Sequence, residues 1–181
     1  MSMSFREYAF SLIYSIPNDI YVITLVIFCV GSVVIYGLKG LREGFLYSSA
    51  LLLCEYIFLI ICTTVIFREA KVGRVYRLKP FWSYERPELL NENIMNVMVF
   101  VPLGLLLGVG FRKCSWWKAI GLGCIISFLI EYLQFTFKRG CCELDDLMYN
   151  TLGCAIGFGL YKLFQLMFEK VCKRPFLRKA S

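Results

Sequence analysis

Five apolar runs, each close to the length that crosses a bilayer, constrain this chain more than any other feature. They cover about residues 20–38, 46–67, 93–111, 117–137 and 147–168. About 20 apolar residues in a helix span the roughly 30 Å of bilayer hydrocarbon. Backbone amides in that layer must find partners within the chain, which helices provide. The expected fold is all-α: a polytopic transmembrane helical bundle of about five spans, preceded by an N-terminal interfacial helix. In that leading helix Phe5, Ala9, Leu12, Ile13 and Ile16 fall at helical spacing with Arg6, Glu7, Ser11 and Ser15 between them, and Pro17 stops it. It lacks the basic start and small-residue cleavage site of a removable signal, so the first span is expected to remain as an uncleaved anchor.

Composition excludes the soluble alternative. The 181 residues are 59% hydrophobic and 18% charged, with a mean hydropathy of +0.65 and no histidine. Soluble domains run at about 45–50% apolar and about 25% charged. The net charge of +7 does not indicate nucleic acid, whose binders gather their basic residues on one patch or stripe. Here the cations sit between the apolar runs and at the C-terminus, as Lys170, Lys173, Arg174, Arg178 and Lys179. That distribution fits membrane-protein loops and a tail on an anionic leaflet. Cys29, Cys54, Cys62, Cys124 and Cys154 lie within the apolar runs, where thiols behave as small apolar groups. Only Cys141-Cys142 sits in a polar turn; without histidine or a paired CxxC, no metal and no cofactor is assigned.

Between the spans, residues 39–44 read as a short basic, glycine-containing loop. A longer bridge from Arg68 to about Leu90 carries Arg68, Lys71, Arg74, Arg77, Lys79 and Arg86 against Glu69, Glu85 and Glu88. Pro102 interrupts the third run and is expected to bend it. Gly104 with Gly108, and Gly153 with Gly157, recur at the four-residue spacing that lets membrane helices approach closely. The short loops after the first and third runs share a side with the C-terminus, and their cations favour that side as cytoplasmic. The bridge and the turn 138–146 then face outward.

One stretch breaks the apolar pattern. Glu131 and Gln134 share a helix face, as do Asp146 and Asn150, and the short turn between them makes their helices antiparallel neighbours. Glu131 lies about two turns, roughly 9–12 Å, from the end of its run, and Arg139 sits just past that end. Polar side chains at membrane depth are costly unless paired or wetted, and mark function. Glu131, Gln134, Arg139, Asp146 and Asn150 are therefore expected to converge on one outward pocket. Structural roles stand beside this: Asp145 or Asp146 as a cap on the fifth helix, Arg139 as an interfacial anchor, and Glu131 paired with Arg139 or Lys138. Asn93 and Asn96 either cap and join helices or line the pocket opposite Glu131. Glu55, near mid-span, is either protonated and hydrogen-bonded or part of a proton or cation path.

These residues carry a family resemblance. The chain resembles the VanZ-like membrane proteins through Leu78-Lys79-Pro80-Phe81-Trp82-Ser83-Tyr84, through Asn93-Ile94-Met95-Asn96 with Pro102-Leu103-Gly104, and through Glu131-x-x-Gln134 followed by Arg139, Asp145, Asp146, Asn150 and Gly153. The likeness covers about residues 45–165. With the hydropathy and charge reading, the expected division is an N-terminal interfacial helix (1–18), a first span and loop (19–44), a VanZ-like transmembrane domain (45–168) and a basic cytoplasmic tail (169–181). The likeness implies a bacterial plasma-membrane protein, the family's named member lowering susceptibility to teicoplanin, with acid, amide, arginine, aspartate and asparagine at the positions of Glu131, Gln134, Arg139, Asp146 and Asn150. Glu55, Cys141-Cys142 and the basic tail fall outside the family pattern.

The functional expectation is binding of an envelope lipid or cell-wall precursor at the outer face, lowering glycopeptide susceptibility. The partners expected are membrane lipids and that ligand, with no nucleic acid; the sequence does not set an oligomeric state. Two alternatives stand: a membrane enzyme acting on a lipid-linked phosphate, for which no nucleophile is evident, and an ion pathway through Glu55 and Glu131.

Overall fold

In the computed structural model the described residues are 5–70, 73, 75–86, 89–111 and 113–172. Lys71, Arg74, Glu88, Arg112 and the tail beyond 172 lie outside them. Five helices are long and apolar enough to cross a membrane: Asn18–Leu41, Glu43–Ile66, Leu90–Gly110, Trp116–Thr136 and Leu144–Val171, here called spans one to five. They follow a short helix at Phe5–Tyr14. The protein is an all-α membrane bundle, as its hydropathy dictates.

The N-terminal helix ends before Pro17, and the Tyr21 hydroxyl donates to the Ile13 carbonyl at 2.8 Å. That bond satisfies one of the carbonyls a helix end leaves free. The loop expected at 39–44 is not a loop. Helix runs from Asn18 to Ile61 with a single break at Gly40 (φ 71, ψ 176), a conformation that only glycine adopts cheaply. The chain reverses there, so that Gly31 lies against Leu51 and Gly44 against the Tyr36 ring. Only 6% of the apolar window of span one is buried; it touches the bundle along a narrow strip and turns the rest of its surface outward.

Span two closes with a π-helical turn, Cys62–Ile66, in which the Phe67 amide reaches back to the Cys62 carbonyl at 2.9 Å. Such turns leave carbonyls without their usual helical donors. Span three remains helical through Pro102. The Tyr56 hydroxyl donates to the Val99 carbonyl at 2.7 Å, beside Met98, whose normal helical donor the proline lacks.

Spans three and five make the most extensive contact in the molecule, and glycine is the reason. A Cβ on Gly104 would strike the Cys154 carbonyl, one on Gly153 the Val97 carbonyl, and one on Gly157 the Val101 carbonyl. Phe100, Leu103, Leu107, Ile130 and Cys154 fill the buried core around this seam.

At the end of the bundle where span four meets span five, two short parallel strands pair: β1 (Val75–Arg77) with β2 (Cys141–Glu143). Residues 75–77 of the bridge and the 138–146 turn therefore belong to one small clasp, and the turn is not an isolated loop. Span four enters it through a Schellman closure. Lys138 is left-handed (φ 56), Arg139 N–H donates to the Gln134 carbonyl at 2.8 Å, and Lys138 N–H donates to the Phe135 carbonyl at 3.4 Å. Arg77 bonds Glu143 at 2.9 Å and stacks its guanidinium over the Trp82 ring at 4.1 Å. Asp145 locks the clasp: its carboxylate, 1% exposed, accepts from the Phe81 amide (2.6 Å), the Ser83 amide (3.0 Å) and the Ser83 hydroxyl (2.6 Å).

Candidate functional site

Beneath the clasp lies a cavity of about 860 Å³. Its mouth is polar, with Arg68, Glu69, Glu92, Asn96, Glu131 and Asp146 around it. Its depth is apolar, with Leu59, Ile60, Val99, Phe100 and Ile130, and the N-terminal helix closes one side through Ala9, Ser11 and Ile13. Tyr56 stands ten residues before the end of span two, so the apolar part reaches roughly 15 Å below the mouth at 1.5 Å per residue.

Helix geometry sets each polar group. Glu131 and Gln134, three apart, face inward together, and each is only 3% exposed. Glu131 Oε2 accepts from the Glu143 amide at 3.0 Å, which ties it to β2. Gln134 Nε2 donates to the Thr64 carbonyl at 3.2 Å, within the π-helical turn, while its Oε1 has no donor and packs against Gly140. On span five, Asp146 Oδ1 accepts from Asn96 Nδ2 at 2.7 Å, and Asn150 Nδ2 donates to Ser127 Oγ at 2.9 Å. Glu131 feels the charges of Asp146, Arg68 and Glu143, and Asp146 those of Glu143, Arg68 and Glu92.

Of the residues singled out in the sequence, Glu131, Gln134, Asp146, Asn150 and Asn96 line this cavity. Arg139 and Asn93 do not. The Arg139 side chain donates to the Arg68 carbonyl, and among the described residues the ion pairs are Arg77–Glu143 and Lys79–Glu85, so Glu131 is not paired with Arg139 or Lys138. Asn93 donates to Ser83 Oγ at 3.0 Å beside a smaller hollow under the clasp. Asp145 caps the Trp82–Glu85 turn in place of the start of its own helix. Glu55 is not among the cavity residues, and its Oε1 is buried without a partner. Sequence reasoning missed Arg68, the guanidinium that does line the cavity. Its signal was available: it is the first cation after an apolar run.

Comparison with known proteins places this architecture. The VanZ/LLP1 family model matches residues 45–165. Protein VanZ of Enterococcus faecium is 36% identical over 72 residues, which are 40% of this chain and 45% of that protein. No solved structure matches the chain. The matched region runs from span two through most of span five and contains the clasp and every polar group at the cavity mouth, so the chain belongs to the VanZ/LLP1 family.

Proposed function

We propose that this protein binds an envelope lipid or cell-wall-related polar ligand in the cavity, from the outer face of the bacterial plasma membrane, and so lowers susceptibility to teicoplanin-type glycopeptides. One observation carries the reading: the cavity is amphiphilic, with charged groups at the mouth and an apolar depth reaching well into the bundle. Buried charge of this kind is retained where a ligand or water uses it. The cation of the site is Arg68, whose backbone carbonyl the Arg139 side chain holds. The resemblance to Protein VanZ supports the link to glycopeptides.

The test is teicoplanin and vancomycin susceptibility in a Gram-positive host expressing wild type, Glu131→Gln or Arg68→Gln at equal levels. Wild type is expected to protect against teicoplanin, and both variants to fall to the level of the empty vector. Variants that protect as well as wild type would remove the cavity from the mechanism.

The cations at the connections after spans one and three support an orientation with the C-terminus inside and the clasp outside. Burial, and then the charges of Glu131, Asp146 and Glu143, push the Cys142 thiol above its ordinary 9.0. Labelling by an impermeant maleimide on intact cells is therefore expected to accelerate as pH rises from 7 to 9, since the thiolate is the reacting form. Signal that survives in a Cys141→Ser/Cys142→Ser double variant comes from other cysteines. Labelling of these two residues only after lysis would invert the orientation.

A further inference from the structure

We propose that the head group taken by this cavity carries a primary ammonium beside an anionic group, the ammonium held by Glu131 and Asp146 and the anion by Arg68. The inference rests on the binding role argued above and names its ligand class. It comes from counting which hydrogen-bonding atoms at the site are already used. Four hydroxyls of the lining donate to backbone carbonyls: Tyr21 to Ile13, Tyr56 to Val99, and both Thr63 and Thr64 to Ile60. One amide hydrogen each of Gln134, Asn96 and Asn150 goes to Thr64, Asp146 and Ser127.

Two carboxylates keep an open acceptor each. Glu131, 3% exposed, uses only Oε2, on the Glu143 amide. Asp146 uses only Oδ1, on Asn96. Neither second oxygen has a donor among the described residues, and both side chains line the cavity. Glu69 and Glu92 add two more acids at the mouth. Carboxylate oxygens that face the cavity with no protein donor are open to a ligand's N–H groups, so the occupant best matched to this wall donates hydrogen bonds and brings positive charge.

One donor group stands apart. Arg68 lines the same mouth, and among the described residues its guanidinium has no hydrogen-bond partner. Its planar fork matches phosphate or carboxylate. Arg68 acts on both Glu131 and Asp146 electrostatically, which suits cationic and anionic parts carried within one small head group. A purely anionic head group would meet four acids with one arginine, and a quaternary ammonium would supply no N–H to the open oxygens. Acyl or prenyl chains would run along Leu59, Ile60 and Phe100.

The experiment uses the full chain in nanodiscs. Retention of three diacyl phospholipids with identical chains is compared, with head groups of phosphoethanolamine, its N-trimethyl analogue and phosphoglycerol; soluble O-phosphoethanolamine is added as a competitor. A Met95→Trp variant, which fills the cavity, sets the background. Phosphoethanolamine lipid is expected to be retained about tenfold over the other two, a ratio consistent with hydrogen bonds to charged groups. Glu131→Gln, whose amide oxygen can still accept from Glu143, is expected to abolish that preference, and Arg68→Gln to weaken all three. Displacement by the soluble competitor would show that the head group suffices; its failure would show that the chains are needed. Equal retention of the three lipids above the Met95→Trp background would overturn the ammonium assignment and leave the cavity as a lipid site. No retention above that background would overturn both.

Discussion

Gly157→Ala is expected to destabilise the protein by about 3 kcal/mol, the upper end of what overpacking costs when nothing can move aside. The new methyl would occupy the space of the Val101 carbonyl, with the Leu105 amide only 3.0 Å away. Those are backbone atoms of a helix whose hydrogen bonds fix them, so no rotamer change can make room. The same holds for Gly104 against Cys154 and Gly153 against Val97. In a bilayer the hydrophobic effect does not press helices together, and close packing of backbones is a main source of association. Widening this seam therefore removes contact along its whole length. Gly121→Ala is the control, since a Cβ there meets nothing within 4 Å and alanine is the better helix former. Thermal unfolding in detergent should show a large fall in midpoint for Gly157→Ala and a small rise for Gly121→Ala. Equal midpoints would mean that the spans sit farther apart than described.

How much of this could be seen in the sequence depends on what each feature is made from. Span number and approximate limits were legible because apolar length is a local property; the Gly104, Gly153 and Gly157 seam was legible because four-residue spacing fixes a face. The reversal at Gly40 was foreseen as a place but not as a shape, since a single positive-φ glycine and a six-residue loop look alike in composition. The clasp was not foreseen. Its strands are three residues each and pair residues more than sixty positions apart, so no local period announces them. That Arg68 and not Arg139 lines the cavity has the same origin. The Schellman closure after span four sends the Arg139 side chain to a carbonyl of the bridge, a long-range bond that spacing along one helix cannot reveal.

The hardest distinction was between Asp145 and Asp146, and it leads to the second large effect. Adjacent residues on a helix point about 100° apart, so one of the pair can face the clasp while the other faces the cavity; sequence alone cannot say which. Asp145 is the one that accepts three hydrogen bonds from Phe81 and Ser83. Asp145→Ala should cost about 3 kcal/mol, because it strands two amides and a hydroxyl in a buried place. It should also release Phe81 from its left-handed backbone (φ 59), a conformation that an L residue holds only under constraint. Hydrogen exchange at the Phe81 and Ser83 amides is expected to accelerate strongly while the seam between spans three and five stays protected. Asp146→Ala gives up a single bond, from Asn96, and is expected to leave the clasp intact while abolishing the proposed preference for phosphoethanolamine lipid. Fast exchange in the clasp of Asp146→Ala, with Asp145→Ala behaving as wild type, would reverse the division of roles between these two neighbours.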